Sequence, residues 1–121
     1  MKPLLAKDIN SFLKRFGNFC DGEFRDIEVI SPTNITITFA TQDEAKEFDW
    51  VSITLEFNGV SDAKLIESSK LSFIDMGEGI SIIFENNMFY FAIGRSNNIS
   101  GIKTSICYIE SSSIKYEQES F

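Results

Sequence analysis

The side chains able to do chemistry in this chain are carboxylates, two cysteines and three tyrosines, for histidine is absent. The usual general base, the commonest metal ligand and the usual pH switch are therefore missing together, which excludes most zinc, serine-triad and cysteine-protease chemistry. Cys20 and Cys107 stand far apart and outside any CxxC arrangement, so two reduced core thiols are expected. Asp75-Met76-Gly77-Glu78-Gly79 has two glycines but neither the third glycine of a dinucleotide loop nor a P-loop lysine, and it reads as a flexible hairpin loop. Neither an enzymatic activity nor a cofactor or metal is expected.

What remains is charge. The densest polar run is Thr41-Gln42-Asp43-Glu44-Ala45-Lys46-Glu47-Phe48-Asp49, with Trp50 just after it. It lacks the calcium-loop pattern, which disfavours a carboxylate metal site. Read as an acidic loop or single helical turn between two strands, it offers Asp43, Glu44, Glu47 and Asp49 to a basic partner, with Phe48 and Trp50 as contact anchors. The plainer alternative is a solvated connection.

The chain as a whole carries 11 basic and 18 acidic residues, a net of −7. Neutralising phosphates is the main source of nucleic-acid affinity, so nucleic acid and anionic membranes are both poor partners for it. Met1 to Asn10 gives only Leu4-Leu5-Ala6 before a charged pair, too short for a signal-peptide apolar region, and no apolar stretch is long enough to span a bilayer. The reading is of a cytoplasmic protein.

At 121 residues the chain has the size of one domain, 1–121. Leu5, Ile9, Phe12, Leu13 and Phe16 make one apolar stripe on a 3.6-residue period, with Gly17 as its C-terminal cap. From Glu23 onward the period becomes two. Strands are expected around Ile27 and Val29, over Ile35 to Phe39, Trp50 to Phe57, Leu71 to Asp75, Ile80 to Glu85 and Met88 to Ile93, and from Ile102 to about Glu110 or beyond. Ser31 to Asn34, Asn58-Gly59 and Asn86-Asn87 are turns, Asp21-Gly22-Glu23 is a tight turn, and Ser111-Ser112-Ser113 marks a bulge. Gly94 to Gly101 reads as a polar loop. The runs 80–84 and 88–93 are apolar on both faces, which requires cover on both sides of the sheet. The expected architecture is α+β: one N-terminal helix packed on a strongly bent antiparallel sheet of six to eight strands.

The run Phe19-Cys20-Asp21-Gly22-Glu23-Phe24-Arg25-Asp26-Ile27-Glu28-Val29, after a short amphipathic helix, resembles small bacterial α+β proteins. In these a phrase of the type Phe-His-Asp-(Ser/Ala/Gly)-Glu-Ile precedes the first strand. Ile53-Thr54-Leu55-Glu56-Phe57-Asn58-Gly59-Val60 is similar to their central strand and turn. Cys20 stands where their histidine would be, so no histidine-dependent role transfers. Several such families are immunity proteins of polymorphic or contact-dependent toxin systems. The resemblance implies an immunity or inhibitor protein that neutralises a toxin domain by protein contact, and the acidity suits a basic toxin. The alternative is a small-ligand or peptide-binding module that uses the concave aromatic face of the bent sheet.

Overall fold

The computed structural model describes residues 1–120. Among these, nine strands form two antiparallel sheets: β1 (Lys2–Pro3), β2 (Glu23–Ser31), β3 (Asn34–Asp43), β4 (Asp49–Asn58), β5 (Asp62–Lys64), β6 (Ile80–Glu85), β7 (Met88–Ile93), β8 (Tyr108–Ser111) and β9 (Ser113–Ser120). The first sheet has the order β1-β9-β4-β3-β2 and the second β5-β8-β7-β6. Helix α1 spans Ile9–Arg15 and a short helix α2 spans Ile99–Lys103. The α+β class and the bent antiparallel arrangement are as expected. Where one sheet of six to eight strands and one helix are expected, the bend is sharp enough to divide nine strands between two sheets, and α2 adds a second helix.

The corner between them is built by Asn58-Gly59 and Ser112. β8 and β9 are one strand kinked at Ser112, whose N–H and hydroxyl both donate to the Asn58 carbonyl at 3.1 Å. Gly59 has φ +65°, and a Cβ there would lie 2.0 Å from the Ser112 hydroxyl, so any other residue would be held left-handed and would displace the Ser112 side chain from the Asn58 carbonyl. Both chain segments therefore change sheet at one point.

Alternation sets the interior. Ile35, Ile37 and Phe39 of β3 and Val51, Ile53, Leu55 and Phe57 of β4 are buried on the inner face, while Thr36, Thr38, Ser52 and Thr54 are half-exposed on the other. Phe91 of the second sheet meets Phe57 at 5.1 Å and Phe39 at 6.3 Å between ring centroids. The stripe of α1 adds Phe12 and Phe16, and Phe19 completes the aromatic wall at 5.4 Å from Phe39. Leu5, expected on that stripe, precedes the helix and is exposed, and Leu4 is buried in its place. After α1 the backbone is left-handed at Gly17, Asn18, Phe19 and Asp21. Phe19 tolerates this costly conformation because its ring is fully buried among Phe12, Phe16 and Phe39.

Four further expectations are corrected. The strand expected over Leu71 to Asp75 is a 3-10 helix, Ser68–Phe73, because only Leu71 is buried there and Phe73 is 84% exposed. The loop expected over Gly94 to Gly101 contains the start of α2, whose N-terminus Asn98 caps by accepting from the Gly101 N–H at 2.7 Å. The strand expected to begin at Ile102 begins at Tyr108. Ile102 is instead the fully buried residue of α2 and, with Ile99, covers Tyr90 and Ala92 on the outer face of the second sheet. The two-sided cover that β6 and β7 require thus comes from the first sheet and α2. Finally, the Asp75 to Gly79 segment is a built turn: Met76 is buried and its carbonyl accepts from Asp21 and Gly79 N–H, while Gly77 N–H donates to Asp75.

Replacing Phe12 or Phe16 by Ala should lower stability by about 3–5 kcal/mol, the cost of emptying a buried ring site. Phe73→Ala should change it by under about 0.5 kcal/mol. Denaturant midpoints read both, and equal midpoints would show that α1 does not anchor the core.

Candidate functional site

The acidic connection divides into one buried carboxylate and an exposed turn. Strand β3 runs three residues past its last apolar residue, Ala40, so Asp43 falls on the inward parity of Ile35, Ile37, Phe39 and Thr41. Its side chain is fully buried. Arg15 reaches it from the end of α1, with Nε to Oδ1 and Nη2 to Oδ2 both at 2.9 Å. Gln118 of β9 donates to Oδ2 at 2.7 Å, and the Ala45 N–H donates to Oδ1 at 2.9 Å. Arg15 also donates to Gln118 Oε1 and lies 5.0 Å from the Phe16 ring centre. The guanidinium hydrogen bonds hold the Asp43 carboxyl below the usual carboxylate range, against the opposing effect of burial. The expectation that Asp43 belongs to a protruding acidic row is corrected: it is the internal anchor of the turn.

Beyond it the chain makes a 3-10 turn at Glu44–Lys46, and Glu47 and Phe48 follow with φ of +54° and +65°. Phe48 N–H bonds the Asp43 carbonyl, and Gln42 Nε2 donates to the Phe48 carbonyl. This geometry turns Phe48 outward, 60% exposed, beside Trp50 at 42%. Glu44, Glu47 and Asp49 are exposed on the same turn. A bulky aromatic held left-handed without burial costs free energy that no interior packing returns. Lys14, Arg15, Phe16 and Cys20 line a small hollow of about 140 Å³ against Phe48 and Trp50.

The register extends this surface. Residues opposite one another share a face, so Asp26 and Glu28 of β2, Glu56 of β4, and Glu117 and Glu119 of β9 stand with Trp50 on the outer side of the first sheet, with Lys115 among them. That spread of acidity is not legible from the 41–49 run, because it arises from pairing distant strands.

A second polar cluster lies on the other sheet. Lys103 Nζ of α2 is 3.1 Å from Asp62 Oδ2 and 3.4 Å from Glu110 Oε1, and the Tyr108 hydroxyl donates to Asp62 at 3.1 Å. The Ser61 hydroxyl donates to Glu110. The hydrogen bond with Asp62 raises the Lys103 pKa and so favours its charged ammonium form. The group ties α2 to β5 and β8. The register pair Asp62–Glu110 comes from tertiary pairing, and sequence reasoning passes over Lys103 because it reads α2 as loop and strand.

Cys107 is fully buried, and burial pushes its thiol up to about 12. Cys20 is half-buried, and neither cysteine is bridged. Among the described residues no three His, Cys, Asp or Glu side chains stand together as a metal site, and no helix is long and apolar enough to cross a membrane. Compared with family models, curated proteins and solved structures, the chain gives no match.

Arg15→Ala strands a buried carboxylate and should lower stability by about 3 kcal/mol, the low end for a broken buried pair because the guanidinium is part-exposed. Glu47→Ala should leave the denaturant midpoint within about 0.5 kcal/mol of wild type. Because Asp43 titrates lower folded than unfolded, its contribution is complete above about pH 3.9 and is lost as pH falls through the folded value. Acid unfolding of Asp43→Asn should therefore start from lower stability and fall less steeply. A thiol reagent at neutral pH should label Cys20 far faster than Cys107, and equal rates would place Cys107 near the surface.

Proposed function

We propose that this chain is an inhibitor of the immunity type, which neutralises a basic toxin domain by direct protein contact through the β3–β4 turn and the acidic outer face beside it. The observation that carries the reading is the display of Phe48 and Trp50 with Glu44, Glu47 and Asp49 on a turn anchored from within by Arg15, Asp43 and Gln118. Exposed aromatic anchors surrounded by charge are what a contact hot spot requires, and an anchored turn loses little entropy on binding. The carboxylates of Asp26, Glu28, Glu56, Glu117 and Glu119 would be out of place in a hot-spot centre, but at its rim they accelerate encounter with a cationic surface. The resemblance of the 19–29 phrase to immunity families points the same way. The alternative, a small ligand on the concave aromatic face, meets a face already filled by Phe39, Phe57 and Phe91 at full burial.

The test takes the product of the gene adjacent to this chain's own, which the proposal expects to carry a basic toxin domain. Glu44→Lys, Glu47→Lys and Asp49→Lys together move the net charge from −7 to −1, two charges per reversal. Association at low salt should slow by about tenfold, with the difference shrinking as salt rises. Phe48→Ala and Trp50→Ala should each weaken binding by about 2 kcal/mol, mainly through faster dissociation, at unchanged melting temperature. Binding that all these variants leave intact removes the turn from the interface, and a neighbouring gene product that shows no binding removes the function.

A further inference from the structure

The strand register arranges the outer face of the first sheet in rows that cross β2, β3, β4 and β9. The middle row is Asp26, Thr38, Thr54 and Glu117. On one side of it lies the row Glu23, Ala40, Ser52 and Glu119. On the other side Glu28, Thr36, Glu56 and Lys115 are aligned. Followed along the strands, the rows make a lane of mostly short side chains over β3 and β4, between two rails of longer, exposed side chains on β2 and β9. Thr36, Thr38, Ser52 and Thr54 are half-exposed in the lane, and Ala40 is its buried floor at one end. The Thr38 and Thr54 hydroxyls are hydrogen-bonded at 3.1 Å across the middle. The rails are acidic apart from two cations: Arg25, which pairs with Glu23 at 2.8 Å, and Lys115, which stands opposite Glu56.

This shape selects the form of a guest. β3 and β4 are each paired with a strand on both sides, so a guest on this face meets side chains only and cannot dock as an added strand. The rails lie three strand spacings apart, about 14 Å, and a helix with its side chains is about 10–12 Å across, so one helix fills the lane along the strands. Side chains two residues apart on a rail are separated by about 6.7 Å, and residues four apart on a helix by about 6 Å along its axis. Cations at i and i+4 on each flank of such a helix therefore meet Asp26 and Glu28 on one side and Glu117 and Glu119 on the other. A second copy of this chain would set acidic rails against acidic rails between two molecules of net charge −7.

We propose that the outer face of the first sheet seats an amphipathic helix of the partner protein, with small residues toward the threonine lane and lysine or arginine on both flanks. The lane supplies shape and the rails supply register, the division of labour by which a groove recognises a helix through side chains at fixed spacing. The inference rests on the proposed function for one point, that the partner is a basic protein, and adds the element which that partner presents.

The probe is an alanine-based peptide of about 18 residues, long enough to form a helix alone, with lysines at i and i+4 on both flanks of an alanine stripe. Its control carries D-alanine at two central positions, which keeps the charge and composition and breaks the helix. Binding to the full chain is measured at about 0.1 M salt, where exposed charges more than about 10 Å apart are largely screened. The helical peptide should bind about tenfold tighter than the control, or more, and shift the amide resonances of Thr36, Thr38 and Thr54. Asp26→Lys and Glu117→Lys each change the net charge by two, as does Glu85→Lys on the second sheet. The first two should weaken the helical peptide about tenfold and the third by less than about twofold. Thr54→Tyr leaves the charge unchanged and fills the lane, so it should abolish the preference for the helical peptide. Tyrosine suits a part-exposed strand position, and a thermal melt near wild type shows that this variant is folded. Where the melt is lowered, the rail variants decide alone. Equal binding of the two peptides, an equal loss from Glu85→Lys and the rail variants, or a folded Thr54→Tyr that binds the helix as wild type does overturns the proposal. Self-association of the free chain that Thr54→Tyr abolishes also overturns it, by assigning the face to a second copy. The peptide is independent of the adjacent gene's product, so failure of that product to bind removes the proposed function without deciding this test, and failure of the peptide leaves the β3–β4 turn as the contact.

Discussion

Phe39 is the joint on which the rest of the structure depends. Its ring is fully buried and stands 5.4 Å from Phe19, 5.1 Å from Phe24 and 6.3 Å from Phe91. Through these contacts the segment after α1, the edge strand β2 and the second sheet all bury their apolar area against one residue of β3. Neither sheet could hide its inner face alone, because each presents a row of aromatic and branched side chains on that side. The strained left-handed backbone at Phe19 persists because this packing over-determines it.

One polar exception inside that frame governs the surface. Asp43 continues the inward row of β3 at the point where apolar residues stop, and a buried carboxylate is tolerable only when paired and hydrogen-bonded. Arg15, Gln118 and the Ala45 N–H meet that demand from α1, β9 and the turn itself. The same charge that would destabilise an unpaired core thus fixes three elements relative to one another. Its consequence lies outside the core, where Phe48 and Trp50 are held in the solvent beside Glu44, Glu47 and Asp49. An internal ion pair is in this sense the support of an external display, and the support and the display have opposite tolerance to mutation.

The sheet edges follow a related logic. A protein that bends one strand system into two sheets creates four ends, and each must be paired, covered or made unattractive. Pro3, the register shifts of β2 and the ion-paired β5 manage three of them. β6 is covered at its start by the segment after α1, whose Asn18 and Cys20 backbone packs against Gly79, so that Ile80 and Ile82 are buried.

By itself the sequence determined the elements whose signal is local. The period-two rows of β3, β4, β6 and β7, the α1 stripe, and the Asn-Gly and Asn-Asn turns are all read from neighbours in the chain, since side-chain direction alternates strictly along a strand and repeats on a helix. Local parity even contained the clue to Asp43, two residues after Thr41 on the buried row, and Arg15 sits one turn from Phe12 on the helix stripe. Two short segments mislead a local reading: Ser68–Phe73 has too few apolar residues to choose between strand and turn, and α2 declares itself only through Asn98 and the spacing of Ile99 and Ile102. Tertiary structure alone decided which distant groups meet. The Arg15–Asp43–Gln118 cluster joins residues separated by 28 and 75 positions, the Lys103 group joins α2 to β5 and β8, and β6 is an edge strand only because no other described strand arrives there. Pairing between strands far apart in the chain is set by the global minimum of apolar exposure, and no local pattern encodes which strand is left last in the row.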